Sequence, residues 1–494
     1  MKIIESINRE VLRKSVERSR QRKIILPTFE QQRNPSAIPG KIKDKLKDIG
    51  LWDLNPLNLF RITWKNEPKE YGGGFGDGNW IELPAELTGV EARIVGIEGK
   101  WFPTGSHKVG AAYGCLVPRL VSGNFDPTTQ KAVWPSTGNY CRGGAYDCAL
   151  LDCPAVAILP EGMSRERFEW LKEIGTDEII ATPGTESNVK EIYDMCRVLR
   201  EERGDSVIIF NQFEELGNSI WHYNMTGGII NEIFEKYYRK DHSRLSAFIS
   251  ATGSAGTIAA GDYLRTLHPS MRVVAVEALQ CPTLYQFGFG SHRIEGIGDK
   301  HVPWIHNIRN TDMVAAVDDE QTMQLMRLFN EPAGREYLAG RNVSGETMEL
   351  LDRLGISSIC NLVAAVKTAR YYDMDSRDVI FIPLTDSMEL YRSRMDEMHE
   401  EHGAYTVESA TGHFERYLMG ITPDHVRELT YSDRKALHNF KYFTWVEQQG
   451  RNSKDLNRLW DEDFWDELYS EEQVREWDAL ITQFNEATGV LKSI

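Results

Sequence analysis

Short apolar runs alternate with longer amphipathic stretches through the middle of the chain. The runs are rich in valine, isoleucine and alanine, as is typical of buried strands. They occupy residues 92–97, 131–134, 155–159, 178–182, 206–210, 247–251, 273–277 and 379–382. Between them apolar residues recur at helical spacing, for example over 188–202 and 217–234. This alternation predicts an α/β fold in which crossover helices join parallel strands.

The pattern changes on both sides of this region. The chain opens with a basic, helix-like stretch in which glutamates are interleaved, and this predicts a solvated amphipathic helix suited to packing on a partner subunit. Towards the other end proline and glycine become sparse, while acidic residues and tryptophan become frequent. We therefore predict an N-terminal extension at 1–85, a core at 86–395 with a smaller subdomain at about 112–220, and an acidic, tryptophan-rich helical region at 396–494.

Composition excludes several classes of function. The 494 residues carry a net charge of −16, which argues against binding to nucleic acid or to an anionic membrane surface. The seven cysteines form no Cys-x-x-Cys pair, and the histidines show no metal-ligand spacing. The first residues lack the apolar run of a signal peptide, and no run approaches membrane-spanning length. We expect a cytoplasmic protein without a bound metal.

Lys108 stands at the most informative position in the sequence. A Pro-Thr-Gly-Ser turn at 103–106 separates it from the strand at 92–97, with Ser106 as the candidate helix cap, and a buried helix would follow. At a helix start, both the backbone dipole and burial favour the neutral amine, which is the form that attacks carbonyls. Pyridoxal phosphate is a carbonyl cofactor that lysine holds in this way. On its own, however, such a motif is more often a surface lysine.

Two glycine-containing turns predict anion sites. In the first, Ser136, Thr137 and Asn139 supply donors beside a helix start, which suits a carboxylate, a phosphate or an ordinary capped helix. The second, Gly-Ser-Ala-Gly-Thr at 253–257, follows a strand and opens a small-residue helix, an arrangement that binds phosphate. It lacks the ending of a P-loop. A dinucleotide fold is the alternative, with Glu277 on the next strand as its acidic residue.

Two more turns complete a set. A double-glycine loop, Glu-Gly-Ile-Gly, lies at 295–298, and a hydroxyl-rich turn at 383–387 ends the strand that begins at Val379. In this order the stretches resemble the fold-type II pyridoxal-phosphate enzymes, which include cysteine synthase, cystathionine β-synthase, the tryptophan synthase β chain and threonine synthase. The Glu-Gly-Ile-Gly loop and the Gly-Ile-Ser-Ser run at 355–358 are most similar to cysteine synthase and cystathionine β-synthase.

The resemblance covers about residues 85–395 and implies two open parallel-sheet domains of the tryptophan synthase β type, with helical terminal extensions. It implies that Lys108 forms the internal aldimine with pyridoxal phosphate and shuttles the α-proton. The remaining roles that it implies are contact with the cofactor's 3-oxygen by Asn139, binding of the cofactor phosphate by Gly253, Ser254, Ala255, Gly256 and Thr257, binding of the substrate carboxylate by Ser136, Thr137 and Gly138, and an active-site glycine loop at Gly296 and Gly298.

The group that faces the pyridine nitrogen is expected in the turn after Pro383. Thr385 is the first choice and Ser387 the second. A neutral hydroxyl would leave the ring a weaker electron sink, which suits elimination from Cβ; with Asp386 as the partner that argument fails. The sequence departs from the family at His107, which is closer to the tryptophan synthase β chain, and at Ala255, where a glycine is usual.

We therefore expect a pyridoxal-phosphate lyase or transferase, similar to cysteine synthase, that performs β-elimination or β-replacement on a serine-, cysteine- or O-acetylserine-like amino acid through an aminoacrylate intermediate. An amino-acid ammonia-lyase or dehydratase and a threonine-synthase-like γ-replacement enzyme remain open. A catalytically silent homologue that binds an amino acid or a partner protein is the alternative from another class. The resemblance also implies a homodimer.

Overall fold

The structure is a computed structural model that describes residues 3–4, 6–185 and 188–494. Its strands are β1 (Trp80–Leu83), β2 (Arg93–Glu98), β3 (Lys131–Pro135), β4 (Ala155–Pro160), β5 (Glu178–Thr182), β6 (Val207–Ile209), β7 (Arg244–Ala251), β8 (Arg272–Ala278), β9 (Met313–Val317), β10 (Asp378–Leu384) and β11 (Val426–Glu428).

The α-helices of the described residues are α1 (Arg9–Gln21), α2 (Phe29–Arg33), α3 (Gly40–Leu46), α4 (Ala85–Thr88), α5 (Lys108–Ser122), α6 (Asn139–Leu150), α7 (Arg165–Glu173), α8 (Val189–Arg203), α9 (Leu216–Trp221), α10 (Gly227–Ile233), α11 (Ala259–Leu267), α12 (Thr283–Gln286), α13 (Asp319–Asn330), α14 (Pro332–Gly340), α15 (Gly345–Leu350), α16 (Ile356–Tyr371), α17 (Arg392–His402), α18 (Val407–His413), α19 (Tyr431–Lys441), α20 (Ser453–Arg458), α21 (Glu462–Leu468) and α22 (Glu471–Thr488).

The strands form two sheets. The larger has the order β1-β2-β10-β7-β8-β9-β11, and the smaller has the order β5-β4-β3-β6. The small sheet is parallel throughout, as are the five central strands of the large one. In the described large sheet, the edge strands β1 and β11 run antiparallel to their neighbours. The predicted α/β fold with two parallel sheets is confirmed.

Small residues let the helices around Lys108 approach closely. A Cβ atom on Gly114 of α5 would lie 2.8 Å from the carbonyl oxygen of Gly217 in α9, and one on Gly217 would lie 2.4 Å from that of Gly114. Real Cβ atoms do not come so near to backbone oxygens, so both positions require glycine. This contact fixes α5 deep in the main core, where 13 of its 15 residues are buried.

The terminal segments pack on this core within the same chain. Arg18 of α1 donates to the carbonyl oxygen of Asp152, and Arg20 donates to that of Ala487 in the last turn of α22. The predicted amphipathic helix thus has its packing partners in its own chain. Two edge strands also fall in the predicted extensions, since β1 precedes residue 86 and β11 lies within 396–494.

The carboxyl ends of strands from both sheets meet in one cleft. The chain that leaves β2 leads to Lys108, and the chain that leaves β3 leads to Ser136. The turns that follow β7 and β10 reach the same place. Ligand sites of open α/β sheets form at such ends. Among the described residues, no helix is both long enough and apolar enough to cross a membrane.

Candidate active site

Lys108 is half-buried at the first position of α5. The residue before the helix is His107 and not Ser106, and within the described chain His107 makes no capping hydrogen bond through its side chain. Ser106 Oγ nevertheless lies 3.4 Å from the backbone nitrogen of Lys108. Burial lowers the pKa of Lys108 to about 8, so a large share of the amine is neutral in mildly alkaline solution.

The loop at 253–257 lies against this lysine. Ser254 Oγ is 3.3 Å from Lys108 Nζ and 3.1 Å from Asn218 Nδ2. Ala255 adopts a φ of +60°, the left-handed conformation that favours the glycine usual at this position. Gly256 lies outside the cavity lining and packs on Asn218, because a Cβ there would be 1.9 Å from Asn218 Oδ1. The loop then opens α11, so that hydroxyls and a helix start meet beside Lys108.

Two buried histidines support this loop, and the sequence did not predict their contact. His107 Nε2 lies 3.3 Å from Thr257 Oγ1, and His222 Nε2 lies 3.5 Å from the same hydroxyl. Burial holds the pKa of both imidazoles well below its ordinary value, so both rings are neutral at pH 7. Neutral rings orient the threonine hydroxyl without adding a fixed charge.

The loop at 136–139 faces Lys108 from the small sheet. Ser136, Thr137 and Asn139 line the cavity. Gly138 lies behind them with a φ of +149°, and a Cβ there would lie 2.4 Å from the guanidinium of Arg167. Arg167 also donates to the carbonyl oxygen of Thr137 at 2.9 Å. The shape of this loop therefore depends on a buried arginine that the sequence did not identify.

The turn after β10 places its three candidates differently. Thr385 lines the cavity. Asp386 is buried and turned to Asn139 Nδ2 at 2.6 Å and to the hydroxyl of Tyr391 at 2.7 Å. Burial raises the pKa of Asp386, while the Arg167 charge and the two hydrogen bonds oppose that rise. Ser387 is buried outside the described lining.

The remaining lining comes from positions that the sequence left unassigned, together with the predicted glycines 296 and 298. Asn361 of α16 joins two strand ends, because its Oδ1 accepts from the backbone of Ala251 at 2.8 Å and its Nδ2 donates to the carbonyl oxygen of Pro383 at 3.0 Å. Gln212 follows β6, and Asp299 follows the glycine loop. Burial raises the pKa of Asp299 well above its ordinary value. Asn361 is a single asparagine inside a helical pattern, and nothing in such a pattern indicates that it joins two strand ends.

The structure engages Glu277, the acidic residue of the dinucleotide-binding alternative, in other contacts. Glu277 is buried, and its carboxylate accepts the backbone N–H groups of Leu284 at 2.9 Å and Tyr285 at 2.7 Å. A carboxylate that binds the start of α12 is not available for a ribose hydroxyl. Glu277 therefore gives no support to a dinucleotide role for the glycine loop at 253–257.

The residues of the cavity fit pyridoxal phosphate. The group needs an amine for its carbonyl, an anion site for its phosphate and a donor for its ring oxygen. Lys108 has a lowered pKa, the loop at 253–257 offers hydroxyls at a helix start, and Asn139 lies across the cavity. The amide nitrogen Nδ2 of Asn139 carries two N–H groups, and among the described residues only one of them has a partner, Asp386 Oδ2 at 2.6 Å.

Comparisons with known proteins agree with this chemistry. The family model described as "Pyridoxal-phosphate dependent enzyme" matches residues 98–340. A cysteine synthase of Staphylococcus aureus is 30% identical over 239 residues, which are 48% of this chain and 73% of that protein. A probable cysteine synthase of Bacillus subtilis is 28% identical over 59% of this chain and 85% of that protein.

The fold is also that of solved structures. O-acetylserine sulfhydrylase isoform 3 from Entamoeba histolytica superposes with a TM-score of 0.55 at 21% identity, covering 69% of this chain and 93% of that one. At this identity the likeness establishes the architecture alone. The sequence match to the Staphylococcus aureus protein, at 30% identity over 73% of its length, establishes the family. The chain therefore belongs to the pyridoxal-phosphate-dependent enzymes of the fold-type II group, and pyridoxal phosphate is its cofactor.

Proposed function

We propose that this enzyme removes the Cβ substituent of a small amino acid and replaces it with a nucleophile, as cysteine synthases do. The matches to cysteine synthases of two bacteria support this reaction class. The substrate would be a serine, a cysteine or an O-acylated serine. Without a nucleophile the same site would complete an elimination. A homodimer remains our expectation from the family.

The charged side chains that line the cavity are the observation that decides between an uncharged and a phosphorylated substrate. Among the described lining residues, only Lys108 and Asp299 belong to charged residue types. A phosphorylated substrate carries nearly two negative charges at neutral pH and would need a cationic partner of its own. The loop at 253–257 is already assigned to the cofactor phosphate. The lining therefore favours a substrate whose Cβ substituent is uncharged, such as an acetyl ester, a hydroxyl or a thiol. It disfavours the O-phosphohomoserine of a threonine-synthase-type reaction.

Each loop has a role in this proposal. Ser136, Thr137 and the backbone at Gly138 hold the substrate carboxylate at the start of α6. The residues that hold the cofactor are Lys108, Asn139, Gly253, Ser254, Ala255, Gly256, Thr257 and Thr385. Gly296 and Gly298 let the glycine loop lie close to the substrate. When bound, pyridoxal phosphate supplies a carbonyl for the amino group and a ring that stabilises negative charge at Cα.

Lys108 moves the proton. Its neutral amine would hold the cofactor's carbonyl, and Nζ would be the base that accepts the α-proton of the bound substrate. The low pKa suits this task, because a base works best when its pKa lies near the working pH. Thr385 offers a neutral hydroxyl to the ring, which favours loss of the Cβ substituent over transamination.

The test is the visible absorption of the purified protein, followed by borohydride reduction and mapping of the label. We expect a yellow protein whose colour is lost on reduction, with the label on Lys108. Addition of O-acetylserine, serine, cysteine or threonine in turn should change the spectrum with one of them, and pyruvate or a sulfide-dependent product should follow. Lys108→Ala should abolish turnover, whereas Lys454→Ala, at an exposed lysine of α20, should leave it unchanged.

Two outcomes would contradict the proposal. Turnover of O-phosphohomoserine alone would replace β-chemistry with γ-replacement. A protein that binds amino acids equally well with and without Lys108, and turns over none, would be a catalytically silent homologue.

A further inference from the structure

A buried chain of hydrogen bonds joins Arg167 to Asn139. Arg167 Nη2 lies 3.0 Å from the Tyr391 hydroxyl, the hydroxyl lies 2.7 Å from Asp386 Oδ2, and Asn139 Nδ2 lies 2.6 Å from the same oxygen. All four side chains are at least nine-tenths buried. We call this chain the Asn139 relay. It connects α7, the turn after β10 and the start of α6, which are far apart in sequence.

Arg167 fixes the direction of every hydrogen bond in the relay. A guanidinium has donors and no acceptor, so Tyr391 must accept from Arg167 through its oxygen. The hydroxyl hydrogen of Tyr391 is then left for Asp386 Oδ2. Since Asp386 accepts there, the group of Asn139 that faces the same oxygen must be its NH₂. The orientation of the Asn139 amide thus follows from the chemistry of the partners and not from the placement of two similar atoms.

The surroundings keep Asp386 in this position. A Cβ atom on Gly355 would lie 1.9 Å from Asp386 Oδ1, so the backbone before α16 closes the far side of the carboxyl. Within the described chain Oδ1 has no hydrogen-bond partner, and both donors converge on Oδ2. Among the described residues, the side-chain carboxyl therefore accepts hydrogen bonds from Asn139 and Tyr391 alone.

We propose that Asp386 is a positioning residue that holds the Asn139 amide with its N–H groups available to the 3-oxygen of pyridoxal phosphate. The inference rests on the role of Asn139 in the proposed function. One N–H binds Asp386, and the second stabilises the ring oxygen as an anion. A reversed amide would present its oxygen to that anion and repel it. Asp386 thereby acts on the cofactor through Asn139 and leaves the ring nitrogen to Thr385.

The experiment compares Asp386→Ala and Tyr391→Phe with the wild type. In Asp386→Ala we expect the dissociation constant of pyridoxal phosphate to rise about tenfold or more. Without Asp386 the Asn139 amide loses its orientation, and with it the hydrogen bond from Asn139 to the ionised 3-oxygen of the cofactor. We also expect the pH at which the visible band changes to shift. Tyr391→Phe removes one hydroxyl and should give the same shift in smaller measure. It keeps the test decisive if Asp386→Ala fails to fold.

Two controls separate positioning from packing. Asp478→Ala removes a carboxylate that accepts the backbone N–H groups of Phe29 and Glu30, outside the Asn139 relay and outside the cavity lining. It should lower thermal stability without changing cofactor affinity or spectrum. Asp386→Asn keeps an acceptor oxygen and should recover part of the affinity lost in Asp386→Ala. Wild-type affinity and spectrum in Asp386→Ala would overturn the proposal.

A measurement on the apoprotein separates this inference from the proposed function. Hydrogen exchange of the Asn139 side-chain amide, followed by NMR after selective asparagine labelling, should be slow in the wild type and faster in Asp386→Ala. Unchanged exchange would overturn the positioning role even if the enzyme performs β-replacement. Failure of wild-type protein to label at Lys108 would instead overturn the proposed site chemistry and leave this exchange result standing.

Discussion

Arg167 Nη1 lies 2.6 Å from Glu295 Oε2, and both side chains are almost fully buried. Arg167 belongs to α7, which packs against the small sheet, whereas Glu295 opens the glycine loop after β8 of the large sheet. Arg394 at the start of α17 pairs with the same carboxylate. The ion pairs therefore join the two walls of the cleft at the loop that carries Gly296 and Gly298.

Loss of one partner of this pair should be costly. Glu295→Gln leaves Arg167 and Arg394 without their carboxylate in a buried site, where removal of one member of an ion pair costs about 3–5 kcal/mol. We expect a fall of that size in the free energy of unfolding and a rise in KM, because the glycine loop loses its anchor. Urea unfolding and steady-state kinetics measure the two effects.

The exposed pair between Arg341 and Glu415 is the matched control, with side chains 46% and 51% exposed. Glu415→Gln should change the free energy of unfolding by less than about 1 kcal/mol. Equal effects of the two substitutions would show that burial of the Glu295 pair adds nothing.

The pKa of Lys108 sets the pH dependence of cofactor capture. The neutral amine attacks the carbonyl, and burial lowers the pKa to about 8 from the ordinary 10.5. The rate at which apoprotein takes up pyridoxal phosphate should rise with pH and level off above about 8. Stopped-flow absorbance would follow it. Free lysine under the same conditions should still be rising there, and a protein profile that matched free lysine would contradict the burial argument.

Position 256 requires glycine because the Asn218 side chain lies against it, and not because of its backbone conformation. A Cβ there would lie 1.9 Å from Asn218 Oδ1, and Asn218 Nδ2 binds Ser254 in the same loop. Gly256→Ala should displace Asn218 and weaken cofactor affinity by about tenfold or more, as loss of supporting contacts does at other ligand sites. Fluorescence titration would measure this. Gly345→Ala meets nothing within 4 Å and should keep wild-type affinity.

The sequence predicted the loops that line this site better than the residues that hold those loops in place, such as Arg167 and Tyr391. The strand before Lys108 and the turn at 253–257 are continuous stretches with local signatures, and the structure brings Lys108 and that turn to one cavity. Arg167 and Tyr391 are 224 residues apart, and neither lies in a recognisable pattern. Their contact arises from packing of α7 against the start of α17, which no local periodicity encodes.

The edge strands show a second limit. Val426–Glu428 has three residues and pairs with β9 inside a region whose aromatic and leucine pattern indicated helices. Its register is set by the partner strand, because a run this short carries no period of its own. Likewise α5 begins one residue later than the cap predicted at Ser106 implies, because His107 stands directly before it, although Ser106 Oγ still accepts from the backbone N–H of Lys108 at 3.4 Å.

Lys441 ties the C-terminal region to the core through a buried amine. It ends α19 and donates to the carbonyl oxygens of Trp304 at 3.0 Å and His306 at 2.7 Å. Burial lowers its pKa to about 7 from the ordinary 10.5. Between these values the unfolded chain binds a proton that the folded chain does not, so the contribution of Lys441 to stability rises with pH in that window and is flat below it.

We therefore expect the free energy of unfolding of the wild type, minus that of Lys441→Met, to increase from pH 7 to pH 10, with a slope of at most about 1.4 kcal/mol per pH unit. Urea unfolding at several pH values measures this difference, in which the titration of all other groups cancels to first order. Lys454→Met, at an exposed position of α20, should give a flat difference. A flat line for Lys441→Met would mean that its ammonium is as well solvated in the folded protein as in the unfolded chain, and that the two carbonyls fully compensate its burial.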